Sequence, residues 1–514
     1  MRSTFQGLET ARRGMVAQQS ALYVTGHNIS NANTPGYTRQ RVDFKQTEPY
    51  PAASMNSPMI PGQMGTGVEA GSIERIRESF LDKQYRNENA KTGYWSSRSE
   101  ALEKMEEIMN EPSDSGLSIT LDRFWQSLQD LSTQPEDPGA RSVVLERGRA
   151  VAETFNFLSN SLSAIQGDFK DQINVTVGQV NSLSDQINNV NKQISEIEPH
   201  GYVPNDLYDE RDRLIDELSG LVDIKVTRLT SGGKPSSSAE GILKVELVDK
   251  SGNSIGDLVK ANELAGKPGI IDGISMGSVP LAIQGTNYDT GTGLVKSITL
   301  GTNTIDINSF NTNGKLRSLI DSFGYMDTAT TESGLYPKML DELDLLAKSF
   351  GEAFTTQHKA GFDLSGVPGG GFFSFGNGTE INAKNMIIDP TLTKEKIAAA
   401  ATKKPGDSGN ALLLADVKDN LTINGVPTSI NAYYEGVIGD MAVNSQEANR
   451  LSNNSGVLRD SVEQRRQSVS AVSIDEEMTN MIKFQHAYNA SARNITIIDE
   501  MLDKIINGLG TGGR

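Results

Sequence analysis

The sequence predicts a mainly α-helical chain with an inserted β domain: coiled-coil helices at the two ends, an elongated helical bundle inside them, and the β domain outermost. Three observations predict it. Apolar residues recur every seven positions at both termini, and a long central segment ending near Ile197 alternates apolar spacings of three and four. Residues 222–308 break into short Val, Ile, Leu and Thr runs separated by Gly, Ser and Asn.

Leu8, Met15, Leu22 and Ile29 form the N-terminal seam, with Phe5, Ala11 and Gln18 on or beside the intervening positions. Asn31, Asn33 and Pro35-Gly36 stop that helix, because proline lacks the N–H that propagation needs and glycine permits the turn. At the other end Ile474, Met481, Tyr488, Ile495, Leu502 and Leu509 repeat with the same period, and Met478, Ala492 and Ile506 fill alternate positions. Each helix would run roughly 40–50 Å. An apolar stripe ordinarily packs on a core. Chain ends fray unless tied down, so seams placed there point to pairing with each other or with neighbouring copies. Residues 1–45 and 472–514 are accordingly expected to form one terminal coiled-coil domain.

Residues 46–75, with Pro49-Tyr50-Pro51, Pro58 and Pro61-Gly62, read as an extended linker. The bundle is expected over 76–221 and 309–471, around the β domain at 222–308. Its first half carries helical periodicity over 75–109, 117–132, 139–198 and 205–221, bounded by Pro112, Pro135, Pro138, Pro199 and Pro204. The clearest member presents Phe169, Ile173, Val180, Leu183, Ile187, Val190, Ile194 and Ile197 on one face, which requires helical neighbours. Its other faces are rich in Asn, Gln and Ser, suiting either hydrogen-bonded lateral contacts in an assembly or plain solvation. Strands are expected at Ile242–Val248 and Ser297–Leu300. Helix returns over 315–358, a small mixed segment occupies about 360–424, and helix dominates from Ala432 onward.

At 514 residues the chain exceeds one compact core. A net charge of -17 without a Lys/Arg run gives no support for binding nucleic acid. With no cysteine, disulfides, thiolate nucleophiles and Cys-based metal sites are excluded. No apolar stretch at the N-terminus is long enough for a signal peptide or a membrane span, so no membrane partner is expected. His27, His200, His358 and His486 lack metal-ligand spacing, and the Gly-rich run at 366–371 lacks the Lys-Ser/Thr of a phosphate loop. The carboxylates of Asp209-Glu210-Arg211-Asp212-Arg213 alternate with arginines at helical pairing distance. Those of Asp475-Glu476-Glu477 follow Ser473 at capping-box spacing. No catalytic, cofactor-binding or metal-binding residue is assigned, and no enzyme is predicted.

The segment Asn28-Ile29-Ser30-Asn31-Ala32-Asn33-Thr34-Pro35-Gly36-Tyr37-Thr38-Arg39-Gln40-Arg41 resembles the signature of flagellar rod, hook and hook-associated axial proteins. Val472-Ser473-Ile474-Asp475-Glu476-Glu477-Met478 and the run from Phe484 to Arg493 are similar to the C-terminal signature of the same family. Ser473-Ile474 departs from the Asn-Leu usual there. The Asp-Glu-Glu form, with Asn205-Asp206-Leu207-Tyr208-Asp209-Glu210-Arg211-Asp212-Arg213-Leu214 and the run from His358 to Leu364, favours a hook–filament junction member; a hook or distal rod subunit is the alternative. The resemblance implies a secreted, non-enzymatic subunit exported unfolded by the flagellar type III apparatus. It further implies a homo-oligomeric ring, contacts with the hook protein and the next hook-associated protein, and a cytoplasmic export chaperone.

Overall fold

The computed structural model describes residues 4–51, 55, 62–109, 113, 116–263, 274–328, 331–376, 380–404 and 406–508. Pro58, Pro61, Pro112 and Leu509, named above, lie outside them. The first helix, α1 (Thr4–Ser30), ends one residue before Asn31, and β1 (Gln40–Gln46) follows. Antiparallel to it runs β2 (Val68–Arg75), with Gln40 opposite Arg75 and a bulge between Asp43 and Phe44. The expected linker over 46–75 is therefore corrected at its C-terminal end: its last eight residues are a strand. Ala21 and Val24 of α1 supply the reason, since they bury Val42 and pack against Ile73, giving this hairpin its own small apolar cluster.

Helices α2 (Ser79–Met109), α3 (Leu117–Thr133), α4 (Pro138–Ile197) and α5 (Asn205–Leu221) then build the body. With 60 residues α4 is about 90 Å long and is its spine. Asp137 caps it by accepting from the N–H groups of Gly139 and Ala140, and Pro138 occupies the first turn, where no donor is missed. Phe169, Ile173, Val180, Ile187, Val190 and Ile194 are buried along it as the spacing predicts, Leu183 packs against them, and Ile197 is half-buried at the end.

The four-stranded antiparallel sheet orders β3 (Ile224–Leu229), β4 (Ile242–Val248), β5 (Ser254–Glu263) and β6 (Ile274–Ser278) in sequence. Next, β7 (Leu281–Ala282), β8 (Ser297–Leu300) and β9 (Asn303–Asp306) form a three-stranded sheet. These sheets are not a lobe apart: Val245, Leu258, Ile298 and Ile307 join Val180, Ile187 and Ile194 in one continuous core. The Asn-rich face of α4 does the docking. Asn191 donates to the carbonyl of Leu243 (2.8 Å) and accepts from its N–H (3.1 Å); Asn181 does the same at Leu281 (2.8 Å each). An asparagine side chain presents the same donor–acceptor pair as a peptide, so α4 pairs with the backbone of β4, an inner strand, and of β7, an edge strand. Both earlier readings of that face, lateral contact and solvation, give way to this one at these positions.

The helix expected over 315–358 is two helices, α6 (Lys315–Phe323) and α7 (Leu335–Ala360), separated by the hairpin of β10 (Tyr325–Met326) and β11 (Glu332–Ser333). Gly324 (φ +115°) and Gly334 (φ +142°) make the break, at angles that side chains rarely adopt. A short ladder of β12 (Phe373–Phe375) and β13 (Met386–Ile388), helix α8 (Gly409–Asp416) and the hairpin of β14 (Leu421–Ile423) and β15 (Val426–Thr428) form the mixed segment. Phe124, Trp125, Phe350, Phe354, Phe372 and Phe373 interlock there in tilted and edge-to-face pairs. Finally α9 (Ile430–Ser470) returns along α2, and α10 (Ile474–Gly508) pairs with α1.

Candidate functional site at the terminal helices and the joint beneath them

The pairing of α1 with α10 is antiparallel and keeps one heptad register throughout. Gly7 lies against Ile498, Gly14 against Ser491, Phe484 packs on the Ala21–Val24 cluster, and Asn28 bonds Glu477. Each step is seven residues forward on one helix and seven back on the other. The face of α1 turned to α10 is thus Gly7, Gly14, Ala21 and Asn28, which lets the backbones approach closely. Leu8, Met15, Leu22 and Ile29 sit one position further, about 100° round the helix, and are half-buried. On α10 Met481, Tyr488, Ile495 and Leu502 are half-buried beside the facing residues, whereas Ile474 is exposed. Phe5, Val16 and Tyr23 of α1 and Met478, Ile482, Ile497, Met501 and Ile505 of α10 stay exposed.

At the base of this pair lies the loop Asn31-Ala32-Asn33-Thr34-Pro35-Gly36-Tyr37. Gly36 adopts φ +82° against the Arg213 side chain, Asn33 to Gly36 are exposed, and Asn31 bonds back to the carbonyl of His27 (3.1 Å). Asn28, just before it, uses all four hydrogen-bonding positions of its amide. It donates to the carbonyl of Gln40 (2.8 Å) and to Glu477 (3.1 Å), and accepts from the N–H of Gln40 (3.0 Å) and the hydroxyl of Tyr37 (2.8 Å). Burial, then the carboxylates of Asp209, Asp206 and Glu477, push the Tyr37 phenol up, so it stays a donor. His27 Nδ1 therefore donates to the Tyr37 oxygen at 3.0 Å. Arg39 grips Glu477 (2.8 Å) and Glu476 (2.6 Å) with its side chain, and its N–H reaches the Ser470 carbonyl (2.9 Å). The two glutamates after Ser473 also serve as ion-pair partners; at the helix start the Ser473 hydroxyl accepts from the Glu476 N–H (3.5 Å), as the capping-box spacing predicts, and the Glu477 N–H bonds the Ser473 carbonyl at 3.0 Å.

Below the loop, α5 carries a buried charge network. Asp209 accepts from the Thr38 N–H (3.0 Å) and from Arg75 (2.7 Å); Asp212 meets Arg75 (2.9 Å), Arg77 (3.1 Å) and Arg86 (3.1 Å). Asp216 pairs with Arg86 (2.7 Å) and with Arg466 of α9. The guanidiniums of Arg75 and Arg211 both lie over the Tyr208 ring, each 5.1 Å from its centroid. Burial opposes ionisation of Asp212, but Arg77, Arg75, Arg86 and Arg211 outweigh it and hold its carboxyl well below the usual range. At Asp209 burial wins over Arg75 and Thr38, and the carboxyl is pushed up. The expectation that this acidic run pairs along its own helix holds for Arg213 with Glu210 and Glu217. It is corrected for Asp209 and Asp212, whose partners come from β2 and α2. Sequence reasoning missed Arg75, Arg77, Arg86 and Arg466; Arg75 at the end of β2 and Arg77 just past it were the available signal.

Among the described residues no three His, Asp or Glu side chains are grouped to hold a metal ion, and no helix is long and apolar enough to cross a membrane. His358 is a packing residue, buried between Gly370 and Ala398.

Comparison with known families agrees with this geometry. Residues 102–373 match the family described as “Flagellar hook-associated protein FlgK helical domain”. Residues 8–38 match “Flagella basal body rod protein”, and 463–508 match “Flagellar basal body rod FlgEFG protein C-terminal”. Over 522 aligned residues the chain is 47% identical to flagellar hook-associated protein 1 of Bacillus subtilis, covering 100% of both. The chain belongs to the flagellar hook-associated protein 1 family. The Escherichia coli protein of that name is 26% identical, over 97% of this chain and 99% of its own length. The solved flagellar hook junction protein FlgK of Burkholderia pseudomallei shares the fold, with a TM-score of 0.59 at 15% identity, covering 76% of this chain and 100% of that one. As a hook-associated protein 1, this is a structural component of the flagellum at the hook–filament junction. The rod matches are confined to the ends, α1 with its loop and α10 with the end of α9, so a rod or hook subunit is not the reading.

Proposed function

We propose that this hook-associated protein 1 is built into the wall of the flagellar axis through α1 and α10, as a non-enzymatic, exported subunit of a homo-oligomeric ring outside the cell. The observation carrying this is the unfinished burial of the terminal pair. Ten large apolar side chains, from Phe5 on α1 to Ile506 on α10, are exposed among the described residues of two helices already paired with each other. Exposed apolar stripes of that size mark contact surfaces. Neighbouring copies are the occupants, with the hook protein on one side and the next hook-associated protein on the other; a cytoplasmic chaperone covers the stripes before export. Leu22, Ile29, Ile495 and Leu502, half-buried on the shoulders of the pair, extend the same surface. Leu22→Asp and Ile495→Asp place a carboxylate in that contact, where it is costly once desolvated. Each variant is expected to keep the melting transition of the body and to lose incorporation, scored by filaments on complemented cells. Full filaments from both variants would remove the terminal helices from the assembly role.

A further inference from the structure

The loop joining β3 to β4, residues 230–241, leaves the body and reaches the terminal hairpin. Ser238 Oγ donates to Glu74 of β2 at 2.5 Å and lies 3.3 Å from Ser72 Oγ. Glu240 pairs with Arg75 at 2.5 Å, and its other oxygen meets Arg228 at 3.2 Å and Arg211 at 3.4 Å. A segment of the β insertion therefore holds the last strand of the terminal module.

Further polar contacts cross this boundary. Thr38 bonds Asp209, Gln40 bonds Asp206 (3.1 Å), and Asn205 bonds the Ile73 carbonyl (3.0 Å). The apolar cluster of Ala21, Val24 and Val42 is separate from the large core of the body. Two polar cavities flank the joint: one of about 380 Å³ beneath the loop, beside Asn205 and Ser237, and one of about 620 Å³ between the 32–38 loop, Arg213 and Gln467. The chain crosses the boundary in short non-helical stretches, 76–78 and 471–473. Hydrogen bonds exchange with water at small net cost, whereas the pairs of Arg75 with Asp209 and Asp212 are buried and set the larger part of the barrier to movement; a polar boundary between two separate cores is the usual setting for rigid-body motion.

We propose that the β3–β4 loop is a releasable strap. Fastened through Ser238 and Glu240, it fixes the terminal helices in one orientation in the free subunit. On incorporation it lets go, and the helices swing about 76–78 and 471–473 to meet neighbouring copies. This rests on the assembly role of α1 and α10 argued above.

The absence of native cysteine gives a direct test. A full chain carrying Ser72→Cys with Ser238→Cys places two thiols where the hydroxyls lie 3.3 Å apart, close enough to bridge. Oxidised and reduced forms are offered to hooks isolated from cells lacking the chain, and bound protein is measured by sedimentation. The reduced form is expected to bind as the natural chain does, the oxidised form to lose binding, and reductant to restore it. Equal binding by both forms, or failure of the pair to cross-link, overturns the strap. Ser238→Ala loosens it without locking it and is expected to bind normally; loss of binding there would show that incorporation needs a fastened strap, and overturns the proposal. Leu22→Asp in the same assay reports on the terminal helices independently: if it binds as the natural chain does, their assembly role fails whatever the strap does.

Discussion

Arg39 and Glu477 stand 438 residues apart in the sequence and 2.8 Å apart in the fold. Between them they fasten the loop after α1 to the first turn of α10, and Asn28 shares the same carboxylate at 3.1 Å. The two chain ends are joined at their base by charge and amide hydrogen bonds, and farther along by close contact of small residues with larger ones.

Glu477→Ala should loosen this base. Its side chain is 3% exposed, and removing it leaves one amide N–H of Asn28 and part of the Arg39 guanidinium without a partner. Glu476 retains one contact to Arg39, so the loss is expected near the lower end for a broken buried pair, about 2–3 kcal/mol. Amide hydrogen exchange over β1 and the start of α10 should quicken correspondingly, while α4 keeps its protection. Glu477→Gln, which still accepts from Asn28, should show a smaller change. Unchanged exchange in Glu477→Ala would mean that the terminal pair is held by its heptad contacts alone.

A second expectation concerns the spine. Asn191 is fully buried and serves both backbone groups of Leu243. Asn191→Leu keeps the volume and removes both hydrogen bonds, leaving an N–H and a carbonyl unpaired in the core at a cost of about 2–4 kcal/mol. Asn181→Leu, at a half-buried position, should cost less. Urea denaturation measures both. A change below about 0.5 kcal/mol at Asn191 would show that the seating of β4 does not depend on α4.

The elements visible in the sequence are those whose cause is local. The end of α1 before Asn31, the length of α4 and the burial of Phe169 to Ile194 follow from proline, glycine and apolar period alone. The face of α1 that meets α10 was not visible from apolar residues. Gly7 and Gly14 act by having no side chain, so the apolar period marks Leu8 and Met15 instead. Strand β2 was hidden because its partner, β1, is more than twenty residues back across a Pro-rich stretch. The charge network escaped for the same reason on a larger scale. The acidic run on α5 looks self-sufficient until Arg75 and Arg86, 137 and 126 residues from Asp212, are brought beside it.

The pH dependence of stability should carry a signature of His358. The ring is buried, with Nδ1 2.9 Å from the Gly370 carbonyl and the Ala398 N–H donating to Nε2 at 2.9 Å. Accepting at Nε2 requires the neutral ring, with its proton on Nδ1 and donated to Gly370. Burial accordingly holds the folded-state pKa below the ordinary 6.5, with the Gly370 bond and Asp389 offsetting it only in part. In the window between the folded value and 6.5 the unfolded chain binds the extra proton and the folded chain does not. The contribution of His358 is therefore fully present above 6.5 and is lost as pH falls from there through the lower folded value. His358→Gln can still donate to Gly370 and accept from Ala398, and it does not titrate. Thermal melts across about pH 7 to pH 5 should show the natural chain losing more stability than His358→Gln. Parallel curves for the two proteins would mean that the buried ring takes up its proton as readily in the folded chain as in the unfolded one, which the Ala398 N–H pointing at Nε2 forbids.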